Sequence, residues 1–342
     1  MLHNKKHFYK YVTTETALLI LQNHTVRYTS PVLFNDPFDI QTRLTFDFEE
    51  SEFLTAYRDE MFRLLHDEKE PLFIDNAAPL CREIQVFRQI VKNESRMTKE
   101  IFDRMTGDIL EFSRKLLEDE NEKMNTWWMR AAKATKVFCV AEAYDNLLMW
   151  AHYTKDHTGA VIEFECLPDL DTPLCAAKKV NYVAKPPFIA TNLDEYIGYI
   201  TGQAILNHEL SIYDLCLSKS DHWKYEQEWR VFIPPVDMNN PTIPRDANGK
   251  EILFDLLQVL PQEIHSIYLG CRMSNDNRQK ILSSLSGDLK HVKKYNSVKS
   301  DKEYKLNFEE ITGYIFELTR NGTHIFFPLK GRAKGAGLAI TQ

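Results

Sequence analysis

The segment from Trp223 to Ile233, WKYEQEWRVFI, carries the two acidic side chains whose type and spacing best suit chemistry. Charged residues are depleted in strands and are seldom buried without a partner. Glu226 and Glu228 alternate along a strand-like segment, so we expect both carboxylates on one face of a strand, about 7 Å apart. Such a pair suits a site that stabilises a sugar cation or binds hydroxyl groups. The alternative is an edge strand whose solvent face carries Glu226, Glu228 and Arg230.

A second informative segment runs from Leu147 to Phe164, LLMWAHYTKDHTGAVIEF. A helix here places Trp150, His152 and Tyr153 near its junction with the following strand, and we expect them to line the same cleft as Glu228. In this interpretation Trp150 or Tyr153 stacks on a planar ring and His152 donates a hydrogen bond. The alternative is a core helix, with Trp150 packed inward and His152 satisfied by one hydrogen bond.

The N-terminal region contributes two basic side chains on neighbouring predicted strands. Lys10 and Arg27 are separated by one short helix, so both can approach one pocket, where they suit a pyrophosphate. The alternative is two exposed cations on strand faces. The following segment, FNDPFD from Phe34 to Asp39, has turn chemistry. It is either a tight turn with Phe34 and Phe38 buried, or a loop ordered around a substrate.

Composition narrows the functional classes. The chain has 342 residues, of which 44% are hydrophobic, as in globular proteins. The net charge of −7 argues against a general nucleic-acid-binding surface. Six scattered cysteines without a CxxC pair indicate reduced thiols, not a disulfide framework or a zinc site. The N-terminus lacks the apolar stretch of a signal peptide, so we expect a soluble, cytoplasmic protein with no membrane partner.

The absence of several motifs argues against some enzyme classes. The sequence has no GxGxxG, GxxxxGK[ST], HExxH or GxSxG motif, which argues against Rossmann, P-loop, zincin and hydrolase-elbow sites. His152 and His157 would lie about 140° apart around a helix, and no carboxylate stands at the spacing that zinc enzymes use. We therefore predict no metal site.

The pattern of apolar residues predicts an α+β class, in which short strands form the core and helices are inserted between them. Residues 50–130 are predicted to form a helical insertion in a single elaborated domain of residues 1–342, and residues 331–342, with three glycines, a flexible tail. Helices are predicted to begin at Thr13 or Thr14 and at Ser274. Two further helices are predicted over residues 146–155 and 195–219. Strands are predicted at 7–12, 25–30, 137–142, 160–166, 178–183, 252–260, 264–269, 304–308 and 325–329.

Three segments carry a resemblance to a known family. FYKYVTTETALLILQNHTVRYTSPVLFNDPFD, LLMWAHYTKDHTGAVIEF and WKYEQEWRVF occur in this order and together resemble the bacterial domain-of-unknown-function 2971 family, from about Phe8 to Leu269. More distantly, the strand–helix–strand opening and the late Glu-x-Glu resemble ADP-ribosyltransferases. That resemblance implies a split mixed or antiparallel β-sheet core and NAD as the cofactor. Those enzymes usually have His or Arg on the first strand, where this chain has Lys10 or His7.

The same resemblance implies roles for individual residues. Glu228 is the implied catalytic carboxylate, Glu226 assists the acceptor and Tyr153 stacks on nicotinamide. Lys10 or Arg27 meets the phosphates. The residues that the resemblance places at the cofactor are Lys10, Arg27, Ser30, Asn35, Trp150, His152, Tyr153 and Arg230.

The implied activity is transfer of ADP-ribose to a macromolecular acceptor, protein or nucleic acid, or breakdown of NAD. The implied setting is a bacterial toxin or antiviral (phage) defence system, with an antitoxin or other protein as a candidate partner. Two alternatives stay open. One is a non-catalytic sensor or interaction module on the same fold. The other, less favoured, is a metal-dependent nuclease that uses Asp36, Asp39, Glu226 and Glu228.

Overall fold

The strands and helices are taken from a computed structural model, which describes residues 3–68, 72–75, 78, 80–93, 98–188, 190–204, 212–312, 314–318 and 324–328. The predicted tail of residues 331–342 lies outside this part of the chain. The strands are β1 (His7–Val12), β2 (Thr25–Thr29), β3 (Lys136–Ala141), β4 (Ala160–Glu165), β5 (Lys178–Lys179), β6 (Asn181–Val183), β7 (Ser218–Ser220), β8 (Glu228–Ile233), β9 (Phe254–Gln258), β10 (Ile264–Leu269), β11 (Lys293–Lys299), β12 (Leu306–Glu310), β13 (Tyr314–Leu318) and β14 (His324–Pro328). The helices are α1 (Thr14–Asn23), α2 (Glu50–His66), α3 (Cys81–Asn93), α4 (Lys99–Ala134), α5 (Leu147–Tyr153), α6 (Leu193–Ile200), α7 (Ile212–Leu217) and α8 (Asn275–Ser284).

A mixed sheet forms the centre of the molecule. Its strands pair in the order β12-β11-β10-β4-β1-β3-β2-β9, and β8 pairs with both β3 and β5. All these pairs are antiparallel except β10 with β11. Strands β6 and β7 form a separate parallel pair, and β13 and β14 form an antiparallel pair. The predicted α+β class is confirmed, whereas the single-domain organisation stays a prediction.

Strand β3 has a different neighbour at each end, and this divides the sheet. Strand β8 pairs with the whole length of β3 along one edge. On the other edge, β1 pairs at Ala141 and β2 pairs at Val137. Between these points the edge has no strand partner among the described residues, and the Cys139 carbonyl accepts a hydrogen bond from Lys10 Nζ at 2.6 Å. The sheet is therefore split between β1 and β2.

Local sequence signals set the starts of two helices, α1 and α8, on one face of this sheet. Thr13 caps α1 by accepting a hydrogen bond from the Thr16 amide at 3.3 Å, and Ser274 caps α8 through the Asn277 amide. Helix α1 packs against α8, and apolar side chains of both helices join the main core of the sheet. Both helix starts agree with the prediction from the sequence.

The predicted insertion at residues 50–130 contains α2, α3 and most of α4. Together with α6 these helices form their own hydrophobic cluster, which includes Phe53, Tyr57, Leu64 and Tyr196. The end of α4 connects this cluster to the sheet, because Trp128 packs with Val137 of β3 and other buried side chains. Among the described helices, even the 36-residue α4 is not apolar enough to cross a membrane.

Several elements differ from the prediction. The helix predicted over 195–219 is divided into α6 and α7, and it ends before Ser218, where β7 begins. The predicted strand at 178–183 is two short strands. Strands β11 and β13 were not predicted. Strand β11, KKYNSVK, mixes charged, polar and apolar residues without a clear alternation.

Candidate functional site

The edge-strand interpretation of the Glu-x-Glu segment is wrong, because its charged side chains are buried. The exposed fractions are 4% for Glu226, 5% for Glu228 and 0% for Arg230. The two glutamates also do not alternate along one strand. Glu226 ends a 3₁₀ helix over Asp221–Glu226, Gln227 adopts a left-handed conformation with φ of 47°, and β8 begins at Glu228. This turn still directs both carboxylates to one point.

That point is the buried ammonium group of Lys219 on β7. Lys219 Nζ lies 2.5 Å from Glu226 Oε2, 2.8 Å from Glu228 Oε2 and 3.4 Å from Asp39 Oδ2. Sequence reasoning missed Lys219, because its segment was predicted to be helical. The sequence signal that could have found Lys219 is a general one: two buried carboxylates need compensating cations close by.

Arg230 provides the second cation. Its Nε donates to Glu228 Oε1 at 2.8 Å, and its Nη2 donates to Glu228 Oε2 at 3.0 Å and to Asp39 Oδ2 at 2.6 Å. Its Nη1 donates to the Cys216 carbonyl at 2.7 Å, so each of the three guanidinium nitrogens donates at least one hydrogen bond. Arg230 thus fixes the FNDPFD turn to β8. Asp36 in that turn has a local role, since its side chain accepts a hydrogen bond from the Phe38 amide.

The charges of this cluster do not balance when every group is ionised. Three carboxylates, on Asp39, Glu226 and Glu228, contact two cations, on Lys219 and Arg230, which leaves one negative charge. Burial raises the pKa of Glu226, although Lys219 acts in the opposite direction. Burial would also raise the pKa of Glu228, but Arg230 and then Lys219 outweigh it and hold that pKa well below 4.5. Of the two glutamates, Glu226 is therefore the one that accepts a proton more readily.

Tyr153, the last residue of α5, binds this same carboxylate. Its hydroxyl donates to Glu226 Oε1 at 2.5 Å and accepts a hydrogen bond from Asn35 Nδ2 at 3.5 Å. Burial, followed by the charge of Glu226, raises the pKa of Tyr153 far above 10. The phenol therefore stays protonated and remains a hydrogen-bond donor to Glu226.

A cleft of about 500 Å³ opens over this cluster at the split in the sheet. Lys10 and Arg27 contribute to its lining from β1 and β2. Neither has a carboxylate within 4.0 Å in the described part of the chain, although Arg27 lies over the Phe254 ring at 4.2 Å. The predicted site residues that line the cleft are Lys10, Arg27, Asn35, His152, Tyr153, Glu226 and Glu228.

Three predicted site residues lie elsewhere. Trp150 is on the inner face of α5, is completely buried, and donates from Nε1 to the Tyr144 carbonyl at 2.7 Å. Ser30 is also completely buried, and its hydroxyl donates to the Lys133 carbonyl at 2.7 Å. Arg230 lies behind the carboxylates that it binds. Trp150 packs inward because the helical periodicity places it on the side of α5 that lies opposite to the exposed side.

Comparisons with known proteins bear on part of this site. Residues 149–231 match the family described as "Protein of unknown function (DUF2971)". The resemblance to this family that the sequence indicated is thereby confirmed, and the matched range includes Tyr153, Lys219, Glu226, Glu228 and Arg230. No curated protein and no solved structure matches the chain.

Proposed function

We propose that the cleft binds NAD and that the protein cleaves its nicotinamide–ribose bond, passing ADP-ribose to a macromolecular acceptor or to water. The observation that carries this proposal is the arrangement of charge. Glu226, which belongs to a cluster with one more carboxylate than cations, lines the same cleft as Lys10 and Arg27, two cations without acidic partners in the described chain. NAD offers matching groups: a sugar that becomes cationic in the reaction and a pyrophosphate.

The chemistry determines what Glu226 must do. The bond between the ribose carbon and the nicotinamide nitrogen breaks, and its electron pair neutralises the pyridinium. The sugar passes through an oxocarbenium-like state, as in glycoside cleavage. A fixed negative charge stabilises that state best in a site that excludes water. The acceptor then bonds to the sugar carbon and loses a proton, which a carboxylate of raised pKa accepts well.

The geometry favours Glu226 over Glu228 as the carboxylate that faces the sugar, which reverses the roles that the sequence resemblance implies. Both oxygens of Glu228 receive hydrogen bonds from Arg230, and one also contacts Lys219. Glu228 is therefore a positioning residue that holds Lys219 against Glu226. Tyr153 fixes the other oxygen of Glu226 through its short hydrogen bond.

Two further features support an ADP-ribosyltransferase-like fold and NAD as the ligand. The sheet divides between β1 and β2, and the cleft lies at this division. Tyr153 and Phe34 place aromatic side chains in the cleft lining, which suits a nicotinamide or adenine ring. The toxin or antiviral defence setting, and an antitoxin or other protein partner, extend the proposal on the resemblance alone.

The non-catalytic sensor or interaction module on the same fold is a second candidate, and the position of Lys219 favours it. Its ammonium already contacts all three carboxylates of the cluster, as it would in a purely structural ion-pair network. The same contact disfavours the nuclease alternative, since the ammonium lies where a divalent cation would have to bind Asp39, Glu226 and Glu228.

One experiment on the wild-type chain separates these candidates. NAD affinity is measured by calorimetry, and nicotinamide release is followed by chromatography, with and without a cell extract as the source of acceptors. Saturable binding with release supports the enzyme. Saturable binding without release in either condition supports a non-catalytic sensor of NAD, whereas no detectable binding contradicts the enzyme and supports an interaction module.

A further inference from the structure

A second cluster of polar side chains lies away from the cleft, at the N-terminal end of β1. His7 of β1 is paired directly with Glu165 of β4, and β10 lies on the other side of β4. The pairing of β10 with β4 changes register between Ile264 and Ser266, which makes His265 the extra residue of a β-bulge. Bulges redirect side chains, and here His265 reaches Glu165.

The three side chains lie close enough to converge on one ion. One potential donor atom from each of His7, Glu165 and His265 lies within 4.8 Å of the other two. His265 Nδ1 is 3.2 Å from Glu165 Oε2, and the two imidazole rings have centroids 4.9 Å apart. His7 Nδ1 is buried and has no hydrogen-bond partner in the described structure, although Glu163 Oε1 lies 3.1 Å from it.

The sequence predicted no metal site, because these side chains lie far apart in it; from their proximity in the structure we propose that His7, Glu165 and His265 bind a divalent transition-metal ion of the Zn²⁺ type. Two imidazole nitrogens and one carboxylate oxygen are a ligand set that zinc and related ions accept. Ligand atoms around tetrahedral zinc are about 3.4 Å apart, given metal–ligand bonds of about 2.1 Å. The His265–Glu165 pair already has this spacing, so His7 makes the main adjustment. The ion takes the place of the hydrogen bond between His265 Nδ1 and Glu165, and the imidazole binds it as the neutral tautomer that carries its proton on Nε2.

The surroundings fit this role. Glu163 is held by the Tyr268 hydroxyl at 2.8 Å and the Tyr9 hydroxyl at 3.3 Å, so it is fixed beside His7 as an outer partner for the bound ion. The side chains of His7 and His265 are 28% and 29% exposed, which leaves a path for the ion from solvent. The ion would join three central strands, and binding to the folded state alone raises stability.

Two lysines compete with the ion. Lys6 Nζ lies 2.8 Å from Glu165 Oε1, and Lys293 Nζ lies 3.4 Å from His265 Nε2. Both contact the atoms that point away from the proposed metal position, and the Lys6 side chain is 67% exposed, so it can move at little cost. The proposal therefore predicts that removing Lys6 tightens metal binding.

The test is a calorimetric titration of Zn²⁺ alone into the full chain, followed by the visible spectrum of bound Co²⁺. We expect one-to-one binding that weakens by at least about tenfold in His7→Ala, Glu165→Gln and His265→Ala, and that tightens in Lys6→Ala. His222→Ala is the matched control, because His222 is an exposed histidine beside an acidic residue, Asp221. Circular dichroism without metal verifies that each variant folds.

Two outcomes would overturn the proposal. One is the absence of saturable binding by wild type. The other is binding that persists in folded His7→Ala and His265→Ala. Because no ligand of this site lines the NAD cleft, either outcome leaves the proposed function unaffected.

Discussion

Asp39 Oδ2 lies 2.6 Å from Arg230 Nη2, in a buried bond between residues 191 positions apart in the sequence. This contact joins the N-terminal turn to β8 and places Asp39 beside Lys219. Two of the three sequence segments that stood out as motifs therefore form one charge cluster. The third, through Tyr153, completes it at Glu226.

Removing one of the cations from this network should destabilise the fold. Arg230→Met leaves Asp39 and Glu228 buried with Lys219 as their remaining cation, and loss of one partner of a buried pair costs about 3–5 kcal/mol. The measurement is the free energy of unfolding from urea denaturation. Arg245→Met is the control, because Arg245 forms an exposed pair with Glu251 that should contribute less than about 1 kcal/mol. Equal small losses in both variants would contradict a structural role for Arg230.

Acid should destabilise the protein through Glu228. The unfolded chain has the ordinary glutamate pKa of 4.5, whereas the folded state holds the pKa of Glu228 well below it. As the pH falls below 4.5, the unfolded state gains a proton that folded Glu228 resists, so the free energy of unfolding decreases. One such proton corresponds to about 1.4 kcal/mol per pH unit.

The check is a set of urea denaturations between pH 3 and pH 6, a range chosen around that pKa. Glu228→Gln should reduce the slope over the acidic part of this range, whereas Glu303→Gln, at an exposed site, should leave it unchanged. A slope in Glu228→Gln that equals the wild-type slope would show that other carboxylates govern acid unfolding.

The cations of the cleft should govern NAD affinity. The loss of one charge-assisted hydrogen bond to phosphate should weaken NAD binding by about tenfold or more. We therefore expect Arg27→Ala and Lys10→Met to raise the Kd for NAD by that factor, whereas Lys302→Ala, at an exposed site, has no effect. Calorimetry gives the Kd values. An unchanged Kd in both cleft variants would remove the pyrophosphate site from this position.

Tyr153 should set the pH dependence of turnover. Its hydrogen bond favours ionised Glu226 and so lowers a pKa that burial has raised. Tyr153→Phe removes this bond, so the acidic limb of the rate profile for nicotinamide release should move to higher pH. Tyr304→Phe, at a fully exposed position, is the control. A lower rate with an unshifted profile would indicate that Tyr153 only supports the fold.

Local signals allowed much of the fold to be predicted from the sequence. The caps at Thr13 and Ser274 follow from short-range chemistry, and β1 and β10 follow from apolar runs of strand length. The proximity of Tyr153 to the Glu-x-Glu segment was also expected. These features depend on a few neighbouring residues, or on motifs long enough to be distinctive.

Features that depend on tertiary contacts could not be predicted in this way. Lys219 resembles any surface lysine until the fold brings the carboxylates of Glu226, Glu228 and the distant Asp39 around it. The left-handed turn at Gln227 interrupts what the sequence presents as one strand. The bulge at His265 depends on how β10 is paired with β4, so the neighbouring His7 and Glu165 are 158 residues apart in the sequence and give no local motif.

The most direct test of the proposed chemistry is nicotinamide release by Glu226→Gln, which keeps the volume of the side chain and removes its charge. We expect the wild type to release nicotinamide from NAD, and the variant to lose about 10²–10³ in rate while its Kd for NAD and its melting temperature change little. A Glu226→Gln variant that binds NAD and releases nicotinamide at the wild-type rate would contradict the assignment of Glu226 as the carboxylate that stabilises the sugar cation.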